Sequence, residues 1–237
     1  MKNRFRHLLP IVCVLSWATM TACDSGDIYP DETPNEQGIS IEASFILRNT
    51  EVFPVEYNLI FGVFAEGGTA PLASVNVIQP NGDTPLSLKL ENIPEEATSV
   101  KLGMVNSGRQ LLYTFFEQSI DDSNPSQIVI PETEIDLLPY DRIQQLVFQQ
   151  YNCVSCHQGT TGSAGLLLTQ GLSYPQLVNT PSTLSDKPRV TPSDPENSFL
   201  LDVLSQQEAV GYPHTGLITR SEDLAMLRIW IEKGCPQ

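Results

Sequence analysis

Basic residues are scarce in this chain, and the shortage limits what it can bind. Its 237 residues include 13 Lys and Arg against 28 Asp and Glu, a net charge of −15. A protein that grips a polyphosphate needs clustered Lys and Arg, so the composition argues against nucleic-acid binding. The 41% apolar share excludes wholesale disorder, collagen and coiled coil, and it suffices for one large or two small globular domains.

Long apolar runs are also missing. The run from Leu8 to Ala18 is too short to span a bilayer, and no later stretch is long and apolar enough for a transmembrane helix. Three basic residues precede this run, so residues 1–22 are predicted to be a signal peptide. The tetrapeptide that follows, Met20-Thr21-Ala22-Cys23, resembles the bacterial lipobox, although Met20 stands where Leu is usual. An ordinary secretory signal with a chance cysteine is the alternative.

The lipobox resemblance implies that Cys23 is acylated and becomes the mature N-terminus, which anchors the protein on a membrane through lipid. Residues 23–37 are acidic and contain prolines, so they are predicted to be a flexible tether. Signal removal takes away three basic residues and no acidic one, which deepens the net charge to −18. The expected location is the bacterial cell envelope, as an outer-membrane lipoprotein that is periplasmic or surface-exposed.

Residues 38–137 show the pattern of β-strands. Apolar residues alternate within short runs that turn signals separate, at 39–45, 55–64, 73–78, 86–90, 99–105, 110–116 and 127–130. Seven short strands in about 100 residues predict an all-β, antiparallel sandwich of immunoglobulin or fibronectin type. This half contains no group of His, Asp or Glu at catalytic or metal-binding spacing.

Residues 138–237 follow a helical pattern instead. Apolar residues at helical spacing predict helices near 141–151, 193–204 and 219–233, the last with capping signals at both ends. We therefore expect a second domain that begins at residue 138 and is mainly α-helical.

The motif Cys153-Val154-Ser155-Cys156-His157 is the attachment pattern of c-type haem. Cysteines three apart on a helical turn point the same way, so both sulfurs reach the vinyl groups of one porphyrin. His157 then presents an imidazole nitrogen to the iron. The motif predicts one covalently bound haem c. A thioredoxin-like dithiol and half of a zinc site are the alternatives.

From this motif onward a family resemblance becomes specific. The last hundred residues resemble a monohaem cytochrome c domain common in Planctomycetes and Bacteroidetes, through segments 165–168, 174–177, 190–198 and 230–234. The resemblance implies a mainly α, cytochrome c-like fold and electron transfer. In that family the sixth iron ligand is the methionine of a Met-Pro pair before the last helix. This chain has Tyr212-Pro213 there, so the expected ligand is missing.

Four replacements for that ligand stay open. His214 would give bis-histidine iron, and Tyr212 would ligate as a phenolate. The iron would otherwise be five-coordinate beside Tyr212, or take Met226 from the last helix, where a methionine is more often core packing.

These features predict a lipid-anchored, c-type monohaem cytochrome that transfers electrons at the bacterial cell envelope. Its acidic surface favours a redox partner with a basic docking face. The alternative is a surface-lipoprotein binding or assembly module of a nutrient-uptake complex, in which haem is accessory. No enzymatic activity is expected, because no base and arginine pair of the peroxidase kind can be placed near Tyr212. Cys235 is left without a partner and is predicted to be a packed thiol.

Overall fold

The fold is known from a computed structural model, which describes residues 39–78, 84–120, 127–206 and 210–237. The predicted signal peptide at 1–22 and the tether at 23–37, with Cys23, lie outside the described residues. So does the Pro80-Asn81-Gly82-Asp83 turn signal between two of the predicted strands.

The alternating segments form two β-sheets. In the described residues one sheet has the order β4-β1-β7 and the other the order β3-β2-β5-β6. The strands are β1 (Ser40–Arg48), β2 (Asn58–Phe64), β3 (Ala73–Asn76), β4 (Leu86–Leu90), β5 (Ser99–Val105), β6 (Leu111–Ser119) and β7 (Gln127–Asp136). The two sheets form two layers, because one buried apolar cluster contains residues from strands of both sheets. Phe45 of β1, for example, meets Phe61 and Phe116 of the other sheet edge-on, with ring centres 5.8 and 5.3 Å apart.

The sandwich prediction required every strand pair to be antiparallel, and one pair is not. β1 pairs antiparallel with β4 but parallel with β7, with a register shift between Ala43 and Phe45. Side chains alternate with a period of two residues in both kinds of pair, so alternation in a sequence does not reveal strand direction.

The prediction of a mainly α, cytochrome c-like second domain is wrong. The described part of residues 138–237 contains four α-helices: α1 (Tyr140–Ile143), α2 (Ser173–Leu177), α3 (Phe199–Ser205) and α4 (Ser221–Glu232). Only α4 is longer than seven residues. Turns, short 3₁₀ segments and the isolated bridges Val178–Val190 and Pro181–Pro188 make up much of the rest. Residues Gly38–Gln237 form one compact unit.

Local backbone chemistry explains why the predicted helices are short. After α1 the chain continues as a π-helical segment, Gln144–Gln149. Asn152 then takes a left-handed conformation with φ of 58°. A right-handed helix cannot continue through a left-handed residue, so the helical segment ends before the motif. Near residue 194, the Asp194 side chain caps a 3₁₀ turn at Pro195–Asn197. Ser198 is extended, so α3 begins at Phe199.

The part of the chain that contains α1 to α4, called the helical region below, packs on the 3₁₀ turn Thr50–Val52 of the β-rich region. Val52 belongs to the same buried cluster as the apolar faces of α1 and α4. Arg142 of α1 is 1% exposed and donates hydrogen bonds to the carbonyls of Leu137 and Val52, at 2.5 and 3.2 Å. These contacts fix α1, the element that leads into the Cys153–His157 motif, against the β-rich region. Within the part of the chain that the structure describes, no helix has the length and apolar character needed to cross a membrane.

Candidate haem-attachment site

The Cys153–His157 motif begins where the first helix ends. The left-handed Asn152 turns the chain into a 3₁₀ turn at Cys153–Ser155. The backbone N–H groups of Cys156 and His157 both donate to the carbonyl of Cys153, at 3.3 and 3.2 Å. One carbonyl therefore holds all three chemically important residues of the motif in a single tight turn.

The two motif cysteines differ in their surroundings. Both are free thiols; Cys153 is partly buried against the helical core, whereas Cys156 is exposed. Burial raises the pKa of the Cys153 thiol. A redox-active dithiol needs a thiol of lowered pKa, so this environment does not favour the thioredoxin-like alternative.

A loop folds back over the motif and fixes His157. The Leu168 N–H donates to the His157 carbonyl at 2.7 Å, and the Nδ1 atom of His157 lies 3.2 Å from the carbonyl oxygen of Leu166. A carbonyl only accepts hydrogen bonds, so Nδ1 carries the proton and, in the neutral ring, Nε2 carries the lone pair. A histidine that binds a metal is commonly oriented in this way, with its other ring nitrogen bonded to a carbonyl.

The loop itself is held by buried polar side chains. Arg189 is 9% exposed and donates to the Gly165 carbonyl at 2.9 Å, while Gln144 donates to the Leu168 carbonyl at 2.8 Å. Gly162 has φ of +61°, and a Cβ atom there would overlap the Leu166 carbonyl oxygen. The acceptor for His157 is therefore positioned by residues that sequence reasoning did not single out.

The burial of His157 favours its neutral form. Removal from water lowers the pKa of His157, and the nearby His214 lowers it further. Backbone hydrogen bonds to Leu166 and Ser163 act in the opposite direction and raise the pKa. The neutral imidazole is the form that binds metals.

The structure brings His214 close to His157, although they are 57 positions apart in sequence. The centres of the two imidazole rings lie 6.3 Å apart, with ring planes inclined at 37°. His214 is partly buried, and its Nδ1 lies 2.8 Å from the carbonyl oxygen of Tyr212. The Tyr212 side chain is 63% exposed, with its ring edge-on to His214 at 5.3 Å.

The other residues considered from the sequence belong to the core. Met226 is 2% exposed and packs with Trp230 in the buried cluster of the helical region. Trp230 is fully buried, with its ring centre 5.2 Å from that of Tyr140. Cys235 is 1% exposed, and burial raises its pKa to about 11. This is the environment of a packed thiol.

Protein ligands for zinc are not gathered at the motif. Across the described ranges 39–78, 84–120, 127–206 and 210–237, no group of three or more His, Cys, Asp or Glu side chains is placed to hold a metal ion. A structural zinc needs four such ligands. Haem iron needs only the axial ligands from the protein, because the porphyrin supplies the equatorial nitrogens.

The site lies in chain segments that carry no charge. Residues 143–185 contain no Asp, Glu, Lys or Arg, and neither do residues 209–219. Both motif cysteines and both histidines fall in these segments, so the acidic excess of the chain lies elsewhere in its sequence. A count of charge by segment would have revealed this feature, which the overall net charge conceals.

Comparison with known proteins adds no relative: no protein-family model, no curated protein and no solved structure matches this chain. The donor set nevertheless fits a covalently attached haem. It offers two thiols three residues apart, followed by a neutral histidine whose Nδ1 is already bonded to a carbonyl.

Proposed function

We propose that this protein carries one haem c, bound through Cys153 and Cys156 with His157 as an axial iron ligand, and transfers single electrons at the bacterial cell envelope. The observation that carries the proposal is the contact between His157 Nδ1 and the Leu166 carbonyl. It leaves Nε2 as the ligating atom immediately after two cysteines at the attachment spacing.

The residues of the chain have separate roles in this function. Cys153 and Cys156 would hold the haem covalently, each by addition of its S–H across a vinyl group, with sulfur bonded to one carbon, hydrogen to the adjacent carbon and no net oxidation. The Leu166 carbonyl orients the imidazole, and the hydrogen bonds from Arg189 to the Gly165 carbonyl and from Gln144 to the Leu168 carbonyl hold the chain on either side of it. When bound, the haem supplies the one-electron chemistry of its iron.

The exchange of electrons with a partner needs access and steering. Exposed Cys156 would give a partner access to the motif, and the segments that carry the motif and His214 contribute no charged side chain to be desolvated. The remaining surface carries the strong acidic excess, which would steer a partner with a basic docking face toward the protein. Acylation of Cys23 would keep the carrier at the membrane, with the rest of the chain outside the lipid.

The test is covalent haem attachment. The full chain is expressed with a haem-attachment system in a Gram-negative host, and haem is measured by pyridine haemochrome spectrum and by haem staining after denaturing electrophoresis. We expect one c-type haem per chain and a reversible one-electron couple. The Cys153→Ala, Cys156→Ala double variant should lose the covalent stain completely.

The matched control is Cys235→Ala, which removes a cysteine outside the motif and should keep the haem. Wild-type protein that matures without a c-type spectrum would disprove the proposal. Haem that binds but shows no reversible couple would instead favour the binding or assembly module.

A further inference from the structure

We infer that His214 is the second axial ligand of the haem iron and that Tyr212 positions it through a backbone carbonyl. The inference rests on the proposed function, because it concerns the iron that His157 would bind. It decides among the four candidates that the sequence leaves open.

The spacing of the two imidazoles is the first argument. A metal held between two histidine nitrogens, with bonds of about 2 Å, puts the ring centres about 6 Å apart. The ring centres of His157 and His214 lie 6.3 Å apart. The observed separation of the ring centres therefore matches that of two imidazoles bound to one metal ion from opposite sides.

The hydrogen bonds of the two rings are the second argument. His214 Nδ1 faces the Tyr212 carbonyl at 2.8 Å, just as His157 Nδ1 faces the Leu166 carbonyl at 3.2 Å. Both Nδ1 atoms must donate, which leaves the lone pair of each neutral ring on Nε2. Two histidines held in the same tautomer by backbone carbonyls are prepared to bind one metal from two sides.

A backbone hydrogen bond within the loop that carries His214 forms a turn. The Leu217 N–H donates to the His214 carbonyl at 3.1 Å, and Gly216 supplies the positive φ of 80° that the turn needs. Tyr212 contributes its carbonyl, while its ring remains largely in solvent. Met226 lies in the core. His214 is thus the candidate that the structure places beside His157.

Bis-histidine ligation has consequences that differ from those of the other candidates. A haem iron held by His157 and His214 would be six-coordinate and low-spin, with a reduction potential below that of a His/Met site. With no open position, the reduced protein would not take up carbon monoxide. The site is then suited to electron transfer and unsuited to binding small ligands.

The experiment uses haem-loaded protein whose covalent attachment has first been verified, so that failure of the proposed function is recognised separately. Reduced wild-type protein is mixed with carbon monoxide and followed by visible absorption. We expect no carbon monoxide complex in the wild type and rapid formation of one in His214→Ala. The oxidised wild type should also lack the far-red methionine-to-iron band.

Two further variants separate ligation from a merely structural role. His214→Met should raise the midpoint potential above that of the wild type, because methionine favours the ferrous state. Tyr212→Phe keeps the backbone carbonyl, so its spectrum and carbon monoxide behaviour should equal those of the wild type. Rapid carbon monoxide binding by the wild type, or loss of the low-spin spectrum in Tyr212→Phe, would overturn the inference. Absence of covalent haem at the first step would remove it together with the proposed function.

Discussion

Single backbone atoms determine how His157 is presented. Its Nδ1–H donates a hydrogen bond to the Leu166 carbonyl. That carbonyl occupies space that a Cβ atom at Gly162 would fill. Gly162 also has a positive φ of 61°, a conformation that costs an L-residue free energy. Gly162 therefore affects the proposed iron ligand His157 indirectly, because it leaves space for the Leu166 carbonyl that accepts the hydrogen bond of His157.

The Gly162→Ala substitution tests this role. The added methyl group would overlap the Leu166 carbonyl, so the loop must move, and we expect the free energy of unfolding to fall by about 1–3 kcal/mol. The axial histidine would lose its acceptor, and the visible spectrum of the haem-loaded protein should change. Chemical denaturation and absorption spectroscopy measure the two effects.

Gly159→Ala is the matched control. Gly159 also has positive φ, at 83°, but a Cβ there meets nothing within 4 Å. Only the conformational cost of about 1 kcal/mol should appear, with no spectral change. Equal spectra for both variants would contradict the role assigned to Gly162.

At the scale of elements, α1 connects the β-rich region to the haem motif. Its Arg142 is buried, and burial lowers the pKa of the guanidinium to about 10, which still leaves it charged at neutral pH. Hydrogen bonds to the Leu137 and Val52 carbonyls satisfy part of this buried group. The guanidinium also lies 6.0 Å from the ring centres of Phe53 and Phe115, a cation–π distance.

Arg142→Ala should therefore be strongly destabilising. It leaves two buried carbonyls without their donor and removes the aromatic contacts, so we expect a loss of about 2–5 kcal/mol in the free energy of unfolding. Equilibrium denaturation monitored by circular dichroism measures it.

Arg228→Ala serves as the comparison for this substitution. Arg228 forms an ion pair with Glu196 at 2.8 Å, and both side chains are exposed. An exposed pair contributes at most about 1 kcal/mol. If both variants lowered the free energy of unfolding equally, the contacts of Arg142 would not be what fixes α1 against the β-rich region.

At the scale of the whole molecule, the proposed function needs a carrier that is charged, accessible and held at a membrane. The acidic excess supplies the charge, and the uncharged segments at 143–185 and 209–219 contain the site. The proposed membrane attachment would depend on Cys23, which lies outside the described residues.

The Cys23→Ser variant tests the anchor. Without a thiol the residue cannot be acylated, so the protein should move from the membrane fraction to the soluble fraction after cell lysis. Cys13→Ser is the control, because Cys13 lies within the predicted signal peptide and leaves with it. Fractionation and immunoblotting give the result, and a Cys23→Ser protein that stays with the membrane would refute lipid anchoring at this residue.

Local chemistry made part of this protein predictable from its sequence. Alternating apolar residues marked the β-strands, and those of β4 and β5 fall at the predicted residues, because a period of two is a local property of the chain. The spacing Cys153, Cys156 and His157 likewise identifies a candidate haem motif without any knowledge of the fold. The prediction that residues 138–237 are mainly α-helical was wrong, since helix length depends on left-handed and extended residues such as Asn152 and Ser198.

The tertiary structure decided what depends on distant segments meeting. It paired β1 with β7 in parallel and set Arg142 against Val52. It also brought His214 to within 6.3 Å of His157 and supplied the carbonyls that fix both rings. The sequence by itself determined the residue types and local spacing of the site. Only the folded chain shows which distal candidate lies beside His157, because the contacts that orient an imidazole come from residues with no fixed offset from it along the chain.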